Sequence, residues 1–182
     1  MSALLRIEQA ALVRGGRLLF EGLDLTLVAG EAAHVTGPNG SGKSSLMRMV
    51  AGLLRPSAGR IERAAVALCD NGLALDRELP LGRALHFWGG PRLAEALTAF
   101  DLDRLTEVPV RLLSTGQAQR ARLARLMAGG ARLWLLDEAH GGLDRDGVAR
   151  LDAAIAQHRG DGGAVLAASH VPLAGHWREL AL

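Results

Sequence analysis

A chain of 182 residues that is 49% apolar and 22% charged has the size and composition of one α/β domain with a full core, and neither of a disordered nor of a fibrous protein. Its 21 basic and 19 acidic residues leave a net charge of only +2, and aromatics make up 3% with no tyrosine, so nucleic acid is not an expected partner. Cys69 is the single cysteine, which excludes an intrachain disulfide and fits a reducing cytoplasm.

In chain order, the opening MSALLRIEQAALVRGG carries Arg6 and Glu8 where a signal peptide needs an apolar run. Strands are expected over 3–11, 23–28 and 32–36, with turns at Gly15–Gly16 and Ala29–Gly30. The spacing of Leu46, Met47, Val50, Leu53 and Leu54 predicts a helix over 44–54 that stops before Pro56. A buried strand follows at 66–69. From Asp70 to about Leu113, Pro80, Pro91 and Pro109 punctuate short helical pieces around 84–88 and 93–99. With the longer helix 114–128 they make a helical insertion over about 71–130, not a separate domain. The strand at 132–136 ends in a continuous apolar run, as expected where both faces of a parallel sheet are covered. Helix 146–158, strand 164–169 and an edge strand at 177–181 complete the chain. The alternation predicts an α/β fold with a mainly parallel core sheet and an antiparallel N-terminal β portion, as one domain over 1–182. No stretch approaches the ~20 apolar residues that cross a bilayer, so solubility is expected and any membrane role falls to a partner.

The stretch Gly37, Pro38, Asn39, Gly40, Ser41, Gly42, Lys43, Ser44, Ser45 fits GxxxxGK[ST], after a strand and before a helix. Glycines let backbone N–H groups converge on phosphate oxygens, and the helix start adds its positive end. Ser44 offers a hydroxyl to Mg²⁺. Lys43 is the only lysine in the chain, and its compact ammonium suits a narrow loop that an arginine fork would not enter.

The apolar run Leu133-Trp-Leu-Leu136 ends in Asp137 and Glu138, which points two carboxylates out of the carboxyl end of the sheet. Asp137 is read as a metal ligand, through water, and Glu138 as the general base for an attacking water. An N-cap explains one carboxylate but not the pair. Ser114 with Gln117 three residues on is a capping box, and the segment reads equally as a phosphate contact. His170, after the strand at 164–169, lies on the sheet edge of Glu138 and suits a terminal phosphate or the water. Cys69 reads as a small core residue. His86, Phe87 and Trp88 read either as core of the insertion or as a face toward a membrane subunit. Arg120, Arg122 and Arg125 read as a solvated face.

With GPNGSGKSS, LSTGQ, LLDEAHGGLD and ASH in that order, the chain resembles the nucleotide-binding cassette of the ABC ATPases, which are P-loop NTPases, over nearly its whole length. That resemblance implies ATP and Mg²⁺ as ligands and an ATP-dependent head-to-tail homodimer. In such a pair Ser114, Gly116 and Gln117 of one chain cap ATP on the other, Asp144 belongs to the loop that communicates across, and His170 is the switch histidine. Within the family, VRGGRLLFEGLDLTL, CDNGLALDRELPLGRALHFW and HRGDGGAVLAASHVPLAG resemble the ATP-binding subunits of cytochrome c maturation systems, the heme exporters. This implies an integral membrane permease as partner, a place on the cytoplasmic face of the bacterial inner membrane, and heme handling or release of a heme chaperone as the work done. Other implied readings are the ATPase of another small ABC exporter and a non-transport nucleotide switch. Arg14 stands where many cassettes stack an aromatic on adenine, and its guanidinium plane is read as taking over that stacking. Asp70 stands where the family has a metal-contacting glutamine, and is read as a metal ligand. Ala139 replaces the usual proline after the glutamate and is expected to loosen the backbone.

Overall fold

The computed structural model describes residues 2–70, 72, 74–90, 92–171 and 173–182. Asn71, at the start of the expected insertion, and the punctuating proline Pro91 lie outside them.

Two sheets form the frame. Strands β1 (Leu5–Arg14) and β2 (Arg17–Leu27) make a long antiparallel hairpin, joined on the other side of β1 by β4 (Ala58–Arg63). The second sheet is parallel throughout its described pairs, in the order β5 (Val66–Cys69), β6 (Leu133–Asp137), β7 (Ala164–Ala168), β3 (Ala32–Thr36), β8 (Arg178–Ala181). The expected mainly parallel core and antiparallel N-terminal portion are both present. Strand 32–36 belongs to the parallel sheet. The hairpin strands run further than expected, to a tight turn at Gly15–Gly16. Strand β4 was not expected at all.

Both faces of the parallel sheet are covered, and the two-residue period of its strands divides the core. Leu133 and Leu135 of β6, with Leu166 of β7 and Val35 of β3, pack against helix α1 (Lys43–Val50) and the antiparallel sheet. Trp134 and Leu136, with Val165 and Ala167, face the opposite cluster. That cluster takes in residues of α4 (Thr115–Ala128), of α5 (Arg145–Gly160), and of the short helices α2 (Leu81–His86) and α3 (Leu93–Ala99). Between β5 and β6 the described residues hold α2, α3, two 3-10 turns and α4, and no strand. Leu81, Leu85, Phe100 and Leu102 are fully buried in the same cluster as Trp134.

Because the strands are parallel, their carboxyl ends share one edge. The loop before α1, Asp70, Asp137 and His170 follow or end β3, β5, β6 and β7 there.

Candidate active site

The loop from Gly37 to Gly42 joins β3 to α1. Gly42 caps α1 at φ 114°, a left-handed backbone, and a Cβ there would meet the Phe20 ring of β2 at 3.2 Å. Only glycine combines that φ with that closeness. Lys43 opens the helix. Its Nζ is turned back into the loop, donating to the carbonyls of Gly37 at 2.8 Å and Pro38 at 3.1 Å, and the residue is 8% exposed. The ammonium is thus held by two neutral carbonyl acceptors of the loop.

Opposite it, Asp137 is buried, and its Oδ1 accepts from Ser44 Oγ at 3.1 Å. Burial pushes the Asp137 carboxyl above the usual carboxylate range. Glu138 and Asp70 push it further, against the Ser44 hydrogen bond and Arg48. Glu138 has φ 54°, rare for a residue with a Cβ, and that conformation is held from both sides. Its N–H donates to the carbonyl of Ala168 at 2.9 Å, and its own carbonyl accepts from Gly141 N–H at 3.0 Å. The side chain therefore leaves the strand end toward His170, whose Nε2 lies 3.5 Å from Glu138 Oε1. Ala139 is buried, and its carbonyl accepts from the Gln119 amide at 2.7 Å, while Arg122 donates to Gln119 Oε1 at 2.7 Å. The backbone expected to be loosened here is clamped by α4.

A cleft of about 380 Å³ runs over these groups, lined by Arg14, Leu19, Asn39, Gly40, Gly42, Lys43, Ser44, Ser45, Asp137, Glu138 and His170. Arg14, the loop, the acidic pair and the histidine are therefore brought together. Leu19 escaped the sequence reading. Its signal was its place in β2 just past the turn that carries Arg14. Asp70 is not on the cleft's lining. It follows β5, one residue past the Cys69–Leu136 pairing, and its Oδ1 accepts from Gly72 N–H at 3.0 Å. It reaches Asp137 through its charge alone.

Ser114, Gly116, Gln117 and Asp144 lie off the cleft as well. Ser114 and Gln117 form a reciprocal capping box on α4, at 3.2 and 2.9 Å. Asp144 caps α5 by accepting from Gly147 N–H at 2.7 Å. A Cβ on Gly116 would sit 3.2 Å from the Gly142 carbonyl, so the start of α4 and the 141–144 loop form one patch.

Several bland expectations change. Arg120 donates to the carbonyl of Phe100, Arg122 to Gln119 and Arg125 to the Leu68 carbonyl, so this trio binds protein and is not a solvated face. Phe87 is 82% exposed and Trp88 42%, so neither is core. Cys69 is core as expected, its thiol pushed up to about 11 by burial. Among the described residues no helix is long and apolar enough to cross a membrane.

The sequence profile of the family described as ABC transporter matches residues 20–141. A protein of Sphingopyxis alaskensis, the cytochrome c biogenesis ATP-binding export protein CcmA, is 52% identical over 181 residues, covering 96% of this chain and 93% of that protein. The protein of the same name from Novosphingobium aromaticivorans is 55% identical over 163 residues, covering 88% and 85%. Among solved structures, the ATP-binding subunit of an ABC transporter superposes with a TM-score of 0.85 at 22% identity, over 92% of this chain and 80% of that one, which speaks for the fold. The chain belongs to the ABC transporter ATP-binding subunits, in the family of the cytochrome c biogenesis ATP-binding export proteins CcmA.

Proposed function

We propose that this chain is the ATP-hydrolysing subunit of a membrane ABC complex of cytochrome c biogenesis, folded as a single domain over 1–182, and that the cleft at the sheet edge is where hydrolysis occurs. One observation carries the reading: Lys43, Asp137, Glu138 and His170 line one cleft with the phosphate-type loop. Backbone amides of that loop and the Lys43 ammonium, which exchanges its two carbonyl partners for phosphate oxygens, bind the triphosphate. Glu138 takes a proton from a water whose oxygen bonds to the γ-phosphorus while the bond to the β–γ bridging oxygen breaks, leaving ADP and phosphate. His170, 3.5 Å from Glu138, steadies that carboxylate or the γ-phosphate.

The donor set fits Mg²⁺. A hydroxyl and a carboxylate already touch at Ser44 and Asp137, and hard cations take few protein oxygens beside phosphate and water. The negative charge of Glu138 and Asp70 around Asp137 favours a cation there. Ser44 and Asp137 would hold the ion, with Asp70 contributing through water, and Mg²⁺ would neutralise charge on the phosphates.

Pairing follows the same logic. Ser114, Gly116, Gln117 and Asp144 sit together and away from this chain's cleft, which supports their serving the nucleotide of a second copy, head to tail. A groove of about 440 Å³ lined by Ala74, Leu75, Asp76, Leu79, Ala84, Phe87 and Trp88 supports docking to a permease at the cytoplasmic face of the inner membrane. The relatives' name as export proteins of cytochrome c biogenesis supports heme, or a heme chaperone, as the species moved.

Steady-state ATPase of the wild type and Glu138→Gln with Mg²⁺ tests the reading. A drop of about 100-fold or more is expected for loss of a general base. Equal rates would overturn it.

A further inference from the structure

The Glu138 carboxylate is held only at long range. Among the described residues its polar contacts are both with His170 and both at 3.5 Å, from Oε1 to the ring Nε2 and from Oε2 to the backbone N–H. The aim of this side chain is therefore set by its own main chain. That main chain sits at φ 54°, a conformation that relaxes unless its neighbours over-determine it.

On the amino side the Ala168 carbonyl takes the Glu138 N–H, inside the parallel sheet. The carboxyl side is weaker. Gly141, which bonds to the Glu138 carbonyl, is an exposed glycine, and the next residue, Ala139, has no side chain beyond Cβ to restrict its torsions. Among the described residues one side chain bonds to the main chain of 138–140, and it is Gln119 of α4, whose Nε2 donates to the Ala139 carbonyl at 2.7 Å. His140 does not share this task, since its buried ring nitrogens have no partner among the described residues.

Gln119 is itself fixed. It is 4% exposed, and Arg122 Nη1 donates to its Oε1 at 2.7 Å. A backbone carbonyl only accepts and a guanidinium only donates, so the amide has one orientation that satisfies both partners. As packing alone the arrangement is poor, because Arg122 Nε is buried without a partner among the described residues. A helix that had only to cover the sheet does as well with apolar residues at both positions.

We propose that Gln119 is a positioning residue for hydrolysis: through the Ala139 carbonyl it holds the backbone that aims the Glu138 carboxylate at the attacking water. Gln119 lies off the cleft's lining and acts only through Glu138. The inference rests on Glu138 being the general base, and it names the contact that makes that base effective, because small misplacements of a reacting group are costly in rate.

The test is steady-state ATPase with Mg²⁺ on the full chain, in a four-member cycle of wild type, Gln119→Glu, Glu138→Gln and the double variant, with Gln119→Asn beside it. Gln119→Glu keeps an acceptor for Arg122 and removes the donor to Ala139. Gln119→Asn keeps the amide on a shorter arm that does not reach, and it decides the matter if circular dichroism shows that Gln119→Glu has not folded. In each folded single variant kcat should fall by about tenfold or more while KM for Mg-ATP stays within about twofold. In the Glu138→Gln background Gln119→Glu should cost nothing further, because no base remains to be aimed. Single variants with wild-type kcat overturn the proposal. So does a loss by the same factor with and without Glu138, which is the mark of a merely structural role. A wild type no faster than Glu138→Gln is a different result, and it overturns the hydrolase reading on which the proposal stands.

Discussion

Ser44 Oγ donates a 3.1 Å hydrogen bond to Asp137 Oδ1 and so ties the first turn of α1 to the last residue of β6. The bond joins two elements far apart in sequence, at the point proposed above to hold Mg²⁺. Without a cation it only partly offsets the burial that raises the Asp137 carboxyl.

The sign of the pH effect follows. An acid raised on folding holds its proton longer in the folded chain, so its stabilising contribution is present below the ordinary carboxyl value and is lost as pH rises through the raised one. At neutral pH the ionised carboxylate destabilises the nucleotide-free chain. Asp137→Asn should therefore melt higher at pH 7 in the absence of Mg²⁺, by about 2–4 °C for a gain near 1 kcal/mol. The gain should vanish below the ordinary carboxyl range, and binding of magnesium nucleotide should fall by about tenfold or more. Thermal scans at both pH values read the first effect and calorimetry the second.

The capping box on α4 separates stability from activity. Ser114→Ala removes the acceptor for Gln117 N–H and should destabilise the chain by about 1 kcal/mol in urea denaturation. Ser114→Thr keeps a capping hydroxyl and should stay within about 0.5 kcal/mol of wild type. An ATPase loss in both variants would mark a contact with the partner's nucleotide beyond the cap.

At the opposite end of the sheet, the His158 ring of α5 stacks on Trp134 of β6, centroids 4.0 Å apart and nearly parallel. A Cβ on Gly163 would collide with that ring. Gly163→Ala should destabilise by about 2 kcal/mol through forced displacement of the stack. In the double variant with His158→Ala the added effect of Gly163→Ala should disappear, which urea denaturation of the four-member cycle measures.

What was legible in the sequence followed strong local signals. The run Leu133–Leu136 into Asp137 and Glu138, the glycines around Lys43, and the box at Ser114 each carry their structure within a few residues. Strand β4 was illegible because it is an outer strand with only Ile61 half-buried, so no two-residue alternation betrays it. The hairpin's extension was hidden in the same way, since Val13, Arg17 and Leu18 lie in its paired strands with exposed side chains. Arg120, Arg122 and Arg125 read as solvent-facing because their acceptors, at Phe100, Gln119 and Leu68, are mostly main-chain carbonyls from other elements. Asp70 was placed in the site because it stands where the family has a metal-contacting glutamine, and the local turn to Gly72 keeps its carboxylate off the cleft's lining. The positive φ of Glu138 has no sequence signal at all, since it is imposed by Ala168 and Gly141.

The central claim is that the loop holding Lys43 grips a nucleoside triphosphate, and calorimetry on the folded chain with Mg-ATP tests it directly, comparing wild type with Lys43→Arg and circular dichroism of both as the control for folding. Wild type should bind one Mg-ATP per chain, and Lys43→Arg, folded but too broad for the pocket between Gly37 and Pro38, should bind about 100-fold more weakly, near 2.7 kcal/mol. Equal affinity in the two proteins, or no Mg-ATP binding by folded wild type, would contradict the account.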